Sequence, residues 1–172
     1  MAALADALDR DDLRAVFGRL DRDSREALYG IAEAAREQAA IVRADYPPAE
    51  RDRELRRIEA DVALDGVELF ARRCPATCRR ALREALGAVV EREQQGEAVV
   101  VRTATGGRLR WRKDERGRYR LLWRTEALVA ERDRAFQALR DVRRAAELHR
   151  RRRRLQQAAS PTPPQGTPPP GP

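Results

Sequence analysis

Lysine is almost missing from this chain. Of its 36 basic residues, 35 are arginine, and Lys113 is the exception. So lopsided a ratio points to a GC-rich coding bias, which discounts each individual arginine as a functional signal. Histidine is represented only by His149, and serine only by Ser24 and Ser160. Neither serine stands in a nucleophile-elbow context, so nothing supports a Ser–His–acid hydrolase. Glycine-rich phosphate loops are absent too: "TATGGR" joins strand to strand, with no following helix to present its N-terminus. Carboxylates are plentiful, but none falls on an apolar face where burial would raise its pKa for acid–base work. The expectation is a protein that is not an enzyme and that takes no cofactor.

Cysteine is scarce. Cys74 and Cys78 do not make the framework of a small secreted domain. Their C-x3-C spacing sits at a helix start, a position that lowers a thiol pKa. Tetrahedral zinc would need two further ligands that nothing nearby offers, so no metal is expected. The pair reads as two buried small side chains, with redox work as the sharper alternative. Long apolar runs are also lacking, and no segment approaches the roughly 18–20 residues that span a bilayer. The opening "MAALADALDRDDLR" has no basic n-region and meets Asp6 early, so no secretory leader is expected and cytoplasm is the default.

What the chain does have is charge. Its 172 residues suffice for one domain with a real core, and 37% of them are charged against 42% hydrophobic. The net +8 is local: residues 1–100 carry −4 and residues 101–172 carry +12. Such asymmetry raises the odds of an anionic partner.

The first half has helical periodicity. "DDLRAVFGRL" places Leu13, Val16, Phe17 and Leu20 on one face. The motif "LDRD" occurs twice, at residues 8–11 and 20–23, where helix N-caps are expected. Calcium is excluded there, because an EF-hand loop from Asp21 would need glycine where Glu26 stands and glutamate where Ala32 stands. A second helix carries Leu28, Ile31, Ala35 and Ile41 to "YPP". A third is expected from there through Leu55, Ile58, Val62, Leu64, Val67, Leu69 and Phe70 to Cys74. Pro75 opens a fourth through Leu82, Leu86, Val89 and Val90, with Gly96 as its stop. A final helix spans residues 125–157, with Leu128, Phe136, Leu139, Val142 and Ala146 inward. The Pro-rich end, residues 158–172, reads as a disordered tail with one PxxP, outside a domain of residues 1–157.

Between the fourth and final helices the period changes to that of a three-stranded antiparallel meander. "EAVVVRTA" supplies one strand and "RLRWRKDERGRYRLLWR" two more. Gly117 suits a three-residue hairpin loop with a G1 bulge. That loop pairs Asp114 with Arg118, Arg112 with Arg120 and Trp111 with Leu121. Leu109, Trp111, Tyr119, Leu121 and Trp123 then share one face with Val99 and Val101. The opposite face collects Arg102, Arg108, Arg110, Arg112, Arg118, Arg120 and Arg124. Like charges directly opposite one another destabilise a sheet, so something must compensate them: solvent and salt, the acidic helical half, or a bound polyanion. A base-stacking platform would need aromatics on the arginine face, whereas here they face the expected core. A second basic cluster is the helix-terminal run Arg150, Arg151, Arg152, Arg153 and Arg154. It exceeds what offsetting a helix dipole requires.

The order of elements and two stretches resemble the cone-shaped α+β superfamily of nuclear-transport-factor-like and SnoaL-like domains. One stretch is "ALDRDDLRAVFGRLDRDSREALYG"; the other is the late basic-x-Asp-Glu-x-Gly-x-aromatic hairpin around Asp114, Glu115, Gly117 and Tyr119. The resemblance implies a pocket between sheet and helices, here with Trp111, Tyr119 and Trp123 as candidate lining. Only Tyr119 matches the Asp, His or Tyr used by enzymes of that superfamily, so the resemblance implies a non-catalytic relative. The expectation is a mostly helical α+β protein serving as an accessory or protein-interaction module for an acidic partner. The alternative is sequence-nonspecific nucleic-acid binding through the arginine-rich hairpin and residues 150–154.

Overall fold

The computed structural model describes residues 1–159. Of the expected tail of residues 158–172, Ala158 and Ala159 belong to the last helix, and the rest, with its PxxP, lies outside the described residues. The described part is α+β: seven α-helices and one four-stranded antiparallel sheet. The chain opens with α1 (Ala2–Asp9) and the short α2 (Leu13–Phe17). Asp12, not Asp9 or Asp11, caps α2 by accepting the Ala15 N–H at 2.9 Å. The second "LDRD" does what its position predicts. Asp21 caps α3 (Arg22–Asp45), accepting the Asp23 N–H at 3.1 Å. This helix buries Leu28, Ile31, Ala35 and Val42, and it ends where Pro47 and Pro48 deny it further N–H donors.

The expected third helix is two. α4 (Pro48–Ile58) runs into a 3₁₀ turn, Glu59–Asp61, and the chain then breaks before α5 (Gly66–Arg73). Asp65 causes the break: its side chain accepts the Glu68 N–H at 2.8 Å, which starts a helix afresh. Leu64, expected inward, is left in solvent at the break. Gly66 lets α5 approach α3, since a Cβ there would stand 2.9 Å from the Tyr29 nitrogen. The fourth helix is also shorter than its apolar pattern implies. α6 (Ala76–Ala85) begins after Pro75 and stops before Gly87.

Val89 and Val90, expected on that helix, instead open β1 (Val89–Gln95), a fourth strand. Gly96, expected as a helix stop, turns β1 into β2 (Ala98–Thr103) with φ of 60°. β-Branched valines and a two-residue Gly–Glu loop made a hairpin here, and helical spacing of the valines was coincidental. β3 (Arg108–Lys113) and β4 (Tyr119–Leu121) follow in the expected register, Trp111 with Leu121 and Arg112 with Arg120. The Asp114 N–H donates to the Arg118 carbonyl at 2.8 Å, and Gly117 has φ of 72°. The strand order is β1-β2-β3-β4.

The two edges of the sheet differ. At β4, the Leu121 N–H donates to the Arg19 carbonyl and the Asp21 N–H to the Leu121 carbonyl, both at 2.9 Å. These bonds form a parallel bridge at Leu20 that closes the edge. At β1 the outer edge carries no strand among the described residues, and all seven residues are exposed.

From β4 the chain reverses at Arg124 (φ 54°) into α7 (Thr125–Ala159), the longest helix. α7 runs parallel to α3. The contacts advance along both helices together: Ser24 with Thr125, Gly30 with Arg132 and Phe136, Glu37 with Arg143, and Asp45 with Arg150. The main core joins the sheet's Val101, Leu109, Trp111 and Leu121 to Val16, Phe17, Leu20, Leu28, Ile31, Leu69, Phe70 and Leu128 of the helical segments. Each such buried aliphatic side chain stabilises the fold by about 1.5–3 kcal/mol. A smaller cluster of Val42, Tyr46, Val142 and Ala146 joins the far ends of α3 and α7.

Candidate functional site

The arginine face of the sheet is compensated from within. Arg102 pairs with Glu91 of β1 at 3.0 Å, and Arg110 with Glu126 of α7 at 2.9 Å. Arg118 and Arg120 share Asp114, at 3.1 and 2.9 Å, and Arg120 also donates to the Gly18 carbonyl at 2.7 Å. Arg124 reaches Glu131 at 3.4 Å. Arg112 has the most buried partner. Its guanidinium spans Asp21 at 2.8 Å and Asp23 at 2.5 Å, both at the start of α3. Arg108 alone of the seven has no ion pair among the described residues. The like charges that oppose one another across the strands, Arg112 with Arg120 and Arg102 with Arg108, are thus relieved mostly by local carboxylates.

Asp21 is the hub of this compensation and is only 1% exposed. Besides Arg112 and the Asp23 N–H, it accepts from Ser24 Oγ and, at 3.0 Å, from Thr125 Oγ1. It therefore sits at the N-termini of both parallel helices, where both macrodipoles favour a negative charge. An acid so placed is a structural clamp. The same carboxylates shape a cleft of about 690 Å³ between the α3 start and the β3–β4 hairpin, lined by residues of both signs.

Four carboxyls are held below the usual carboxylate range, and arginine contributes to each. Desolvation is the largest single influence on Asp114 and pushes its pKa up. The Arg118 and Arg116 backbone N–H groups and the Arg120 side chain outweigh it together, so the pKa is strongly lowered. Hydrogen bonds from Arg83 lower Asp9. For Glu68 the Leu64 N–H comes first and Arg72 second, and for Glu126 its own backbone N–H comes before Arg110.

The basic run on α7 divides. Arg150 and Arg153 both pair with Asp45 of α3, at 2.5 and 2.9 Å. His149 packs against Tyr46 with the rings tilted, their centroids 4.8 Å apart. Arg151, Arg152 and Arg154 are exposed and have no ion pair among the described residues. Between and beside them stand two exposed leucines, Leu148 at 57% and Leu155 at 62%. Positions 148, 151, 152 and 155 fall on one helical stripe, so Arg151 and Arg152 share a face with the bare leucines, and Arg154 lies to one side of it.

The three aromatics proposed as pocket lining separate. Trp123 packs edge-on against Phe70, with centroids 4.9 Å apart, inside the main core. Trp111 and Tyr119 line a shallow, mostly apolar cleft of about 270 Å³ with Met1, Val89, Arg92, Val99 and Val101. Tyr119, expected in the core, is 50% exposed, with Lys113 Nζ 5.4 Å from its ring centroid. It is the first residue of β4, opposite Lys113 next to the hairpin loop. The Trp111 indole nitrogen is buried without a hydrogen-bond partner among the described residues.

Cys74 and Cys78 are not a reduced pair but a disulfide joining the end of α5 to the first turn of α6. C-x3-C at a helix start brings the two sulfurs together, a consequence of spacing that the reading of two buried thiols overlooked. Among the described residues no cluster of three or more His, Cys, Asp or Glu could hold a metal ion, and no helix is long and apolar enough to cross a membrane. No protein family, curated protein or solved structure matches this chain.

Proposed function

We propose that the chain is a non-enzymatic interaction module that meets an acidic protein partner at the far end of α7. One observation carries the reading: unpaired Arg151 and Arg152 stand beside exposed Leu148 and Leu155 on one helical stripe, with unpaired Arg154 on its flank. The sheet arginines, all but Arg108 paired within the fold, contribute architecture instead. The leucines favour a protein over a nucleic acid, because a phosphate backbone offers nothing for them to bury against. An acidic amphipathic helix offers both apolar and charged contacts. Disulfides persist in oxidising compartments, so the Cys74–Cys78 bond favours work there over the cytoplasm.

The test compares two probes, a synthetic acidic peptide of Leu–Glu heptads and a labelled DNA duplex. Peptide binding should weaken about tenfold or more in an Arg151→Glu/Arg152→Glu variant and in a Leu148→Ser/Leu155→Ser variant. Duplex binding that falls by about 10³–10⁵ between roughly 50 and 200 mM salt, and that ignores the leucine changes, would replace this reading with nucleic-acid binding.

A further inference from the structure

The open edge of β1 is a second feature that the far end of α7 does not account for. Sheet edges invite pairing, and natural proteins cover, shorten or charge them. The β4 edge is covered by the bridge at Leu20. The β1 edge is seven residues long with every residue exposed; Val90, at 65% exposure, falls where the register shifts between Val89 and Glu91, and the regular ladder runs from Glu91 to Gln95. Beside it lies the apolar cleft lined by Val89, Val99, Val101, Trp111, Tyr119 and Met1.

Register fixes what the edge offers. Gln95 and Ala98 flank a two-residue loop, so they form a hydrogen-bonded pair, and such pairs alternate along an antiparallel ladder. Glu93 opposite Val100 and Glu91 opposite Arg102 are then also bonded inward. The N–H and C=O groups of Arg92 and Gln94 point outward. The side chains of Arg92 and Gln94 stand on the same face as their partners Val101 and Val99, which is the face of the cleft.

We infer that β1 docks an extended segment of another protein as a fifth strand, hydrogen-bonded to the Arg92 and Gln94 backbone, with alternate side chains over the Trp111–Tyr119 cleft. Charge specifies the occupant. Arg92 lines the cleft and has no ion pair among the described residues, so the incoming strand carries an acidic side chain opposite it and apolar ones two residues to either side. On the other face Arg102 already holds Glu91 at 3.0 Å, while Glu93 accepts from Gln95 at 2.9 Å and has no ion pair among the described residues, which calls for a basic or polar residue opposite Glu93. A second copy of this chain fits poorly. Antiparallel registers that use the outward groups, centred on Arg92, Glu93 or Gln94, set Glu91 against Glu93, Glu93 against itself, or Glu91 against Glu97. Each opposes like charges.

Selection of ten-residue peptides from a displayed library on the full, disulfide-bonded chain tests this, followed by amide hydrogen exchange of the complex. The expected winners alternate apolar residues with one acidic position, and they slow exchange at the Arg92 and Gln94 N–H groups by about tenfold or more. Exchange at Glu91 and Glu93, already bonded inward, should change little. Gln94→Pro removes an outward donor that the β1–β2 ladder does not use, so it should fold normally and lose the peptide. Arg151→Glu/Arg152→Glu should bind the peptide unchanged, which separates this site from that on α7. No enrichment, equal binding by Gln94→Pro, or protection confined to other segments would each overturn the inference.

Discussion

Arg112 and Asp21 meet across 91 positions of sequence, and their 2.8 Å contact ties the middle of the sheet to the start of two parallel helices. Removing the cation leaves a carboxylate that is 1% exposed with one donor fewer. Arg112→Met should therefore lower stability by about 1.5–3 kcal/mol, the range for hydrogen bonds to charged groups. Arg108→Ala, at a position with no ion pair, should stay within about 0.5 kcal/mol. Urea denaturation of both variants checks the contrast. Equal losses would mean that the pairing does not distinguish these arginines.

Asp114 predicts a pH dependence. Its folded pKa lies below the unfolded value of about 3.9, so ionisation favours the folded state. That stability is fully present above the unfolded pKa and is lost as pH falls below it toward the folded value. Thermal melts of the parent and Asp114→Asn should differ by a constant amount from about pH 7 to 5. The gap should close as the pH drops below about 4. A gap that widens in acid would reverse the sign of the argument.

Asp45 neutralises two arginines of the run, Arg150 and Arg153. Asp45→Ala should free both and strengthen binding of an acidic peptide to the α7 end, by about 1 kcal/mol or less because the pairs are partly exposed. The gain should shrink on raising salt from about 50 to 200 mM, as screening predicts. Titration calorimetry at both concentrations measures it, and unchanged affinity would count against the run as a docking surface.

The disulfide closes a very short loop, for which chain entropy predicts about 2 kcal/mol of stabilisation. Cys74→Ala/Cys78→Ala should show a loss of that size in denaturant. Hydrogen exchange should rise first in α6, which has no fully buried residue of its own. Uniform loosening of the whole fold would argue against a local staple.

Legibility in the sequence followed the strength of local signals. The β3–β4 register was readable because Gly117 dictates the loop and parity does the rest. α3 and α7 were readable from periodicity running over many turns. The break at Asp65 was not, because the apolar spacing from Leu55 to Phe70 continues through it and only an Asp-Gly cap interrupts. β1 was missed for a related reason: Val89 and Val90 continue the spacing of Leu82 and Leu86, while the Gly96–Glu97 turn that pairs them with β2 lies downstream. The arginine face was legible as a pattern, and the need for compensation could be stated. Its main source could not be named, since Asp21 and Asp23 lie about 90 residues from Arg112 and only the parallel entry of two helices brings them there.

α7 has 35 residues and so extends about 52 Å at 1.5 Å per residue. The sheet lies at its first turn and the free arginines near its last, farther apart than the width of most small domains. A partner held at one end leaves the other uncovered. For the two docking surfaces proposed above, the helix would act as a spacer that keeps their partners apart.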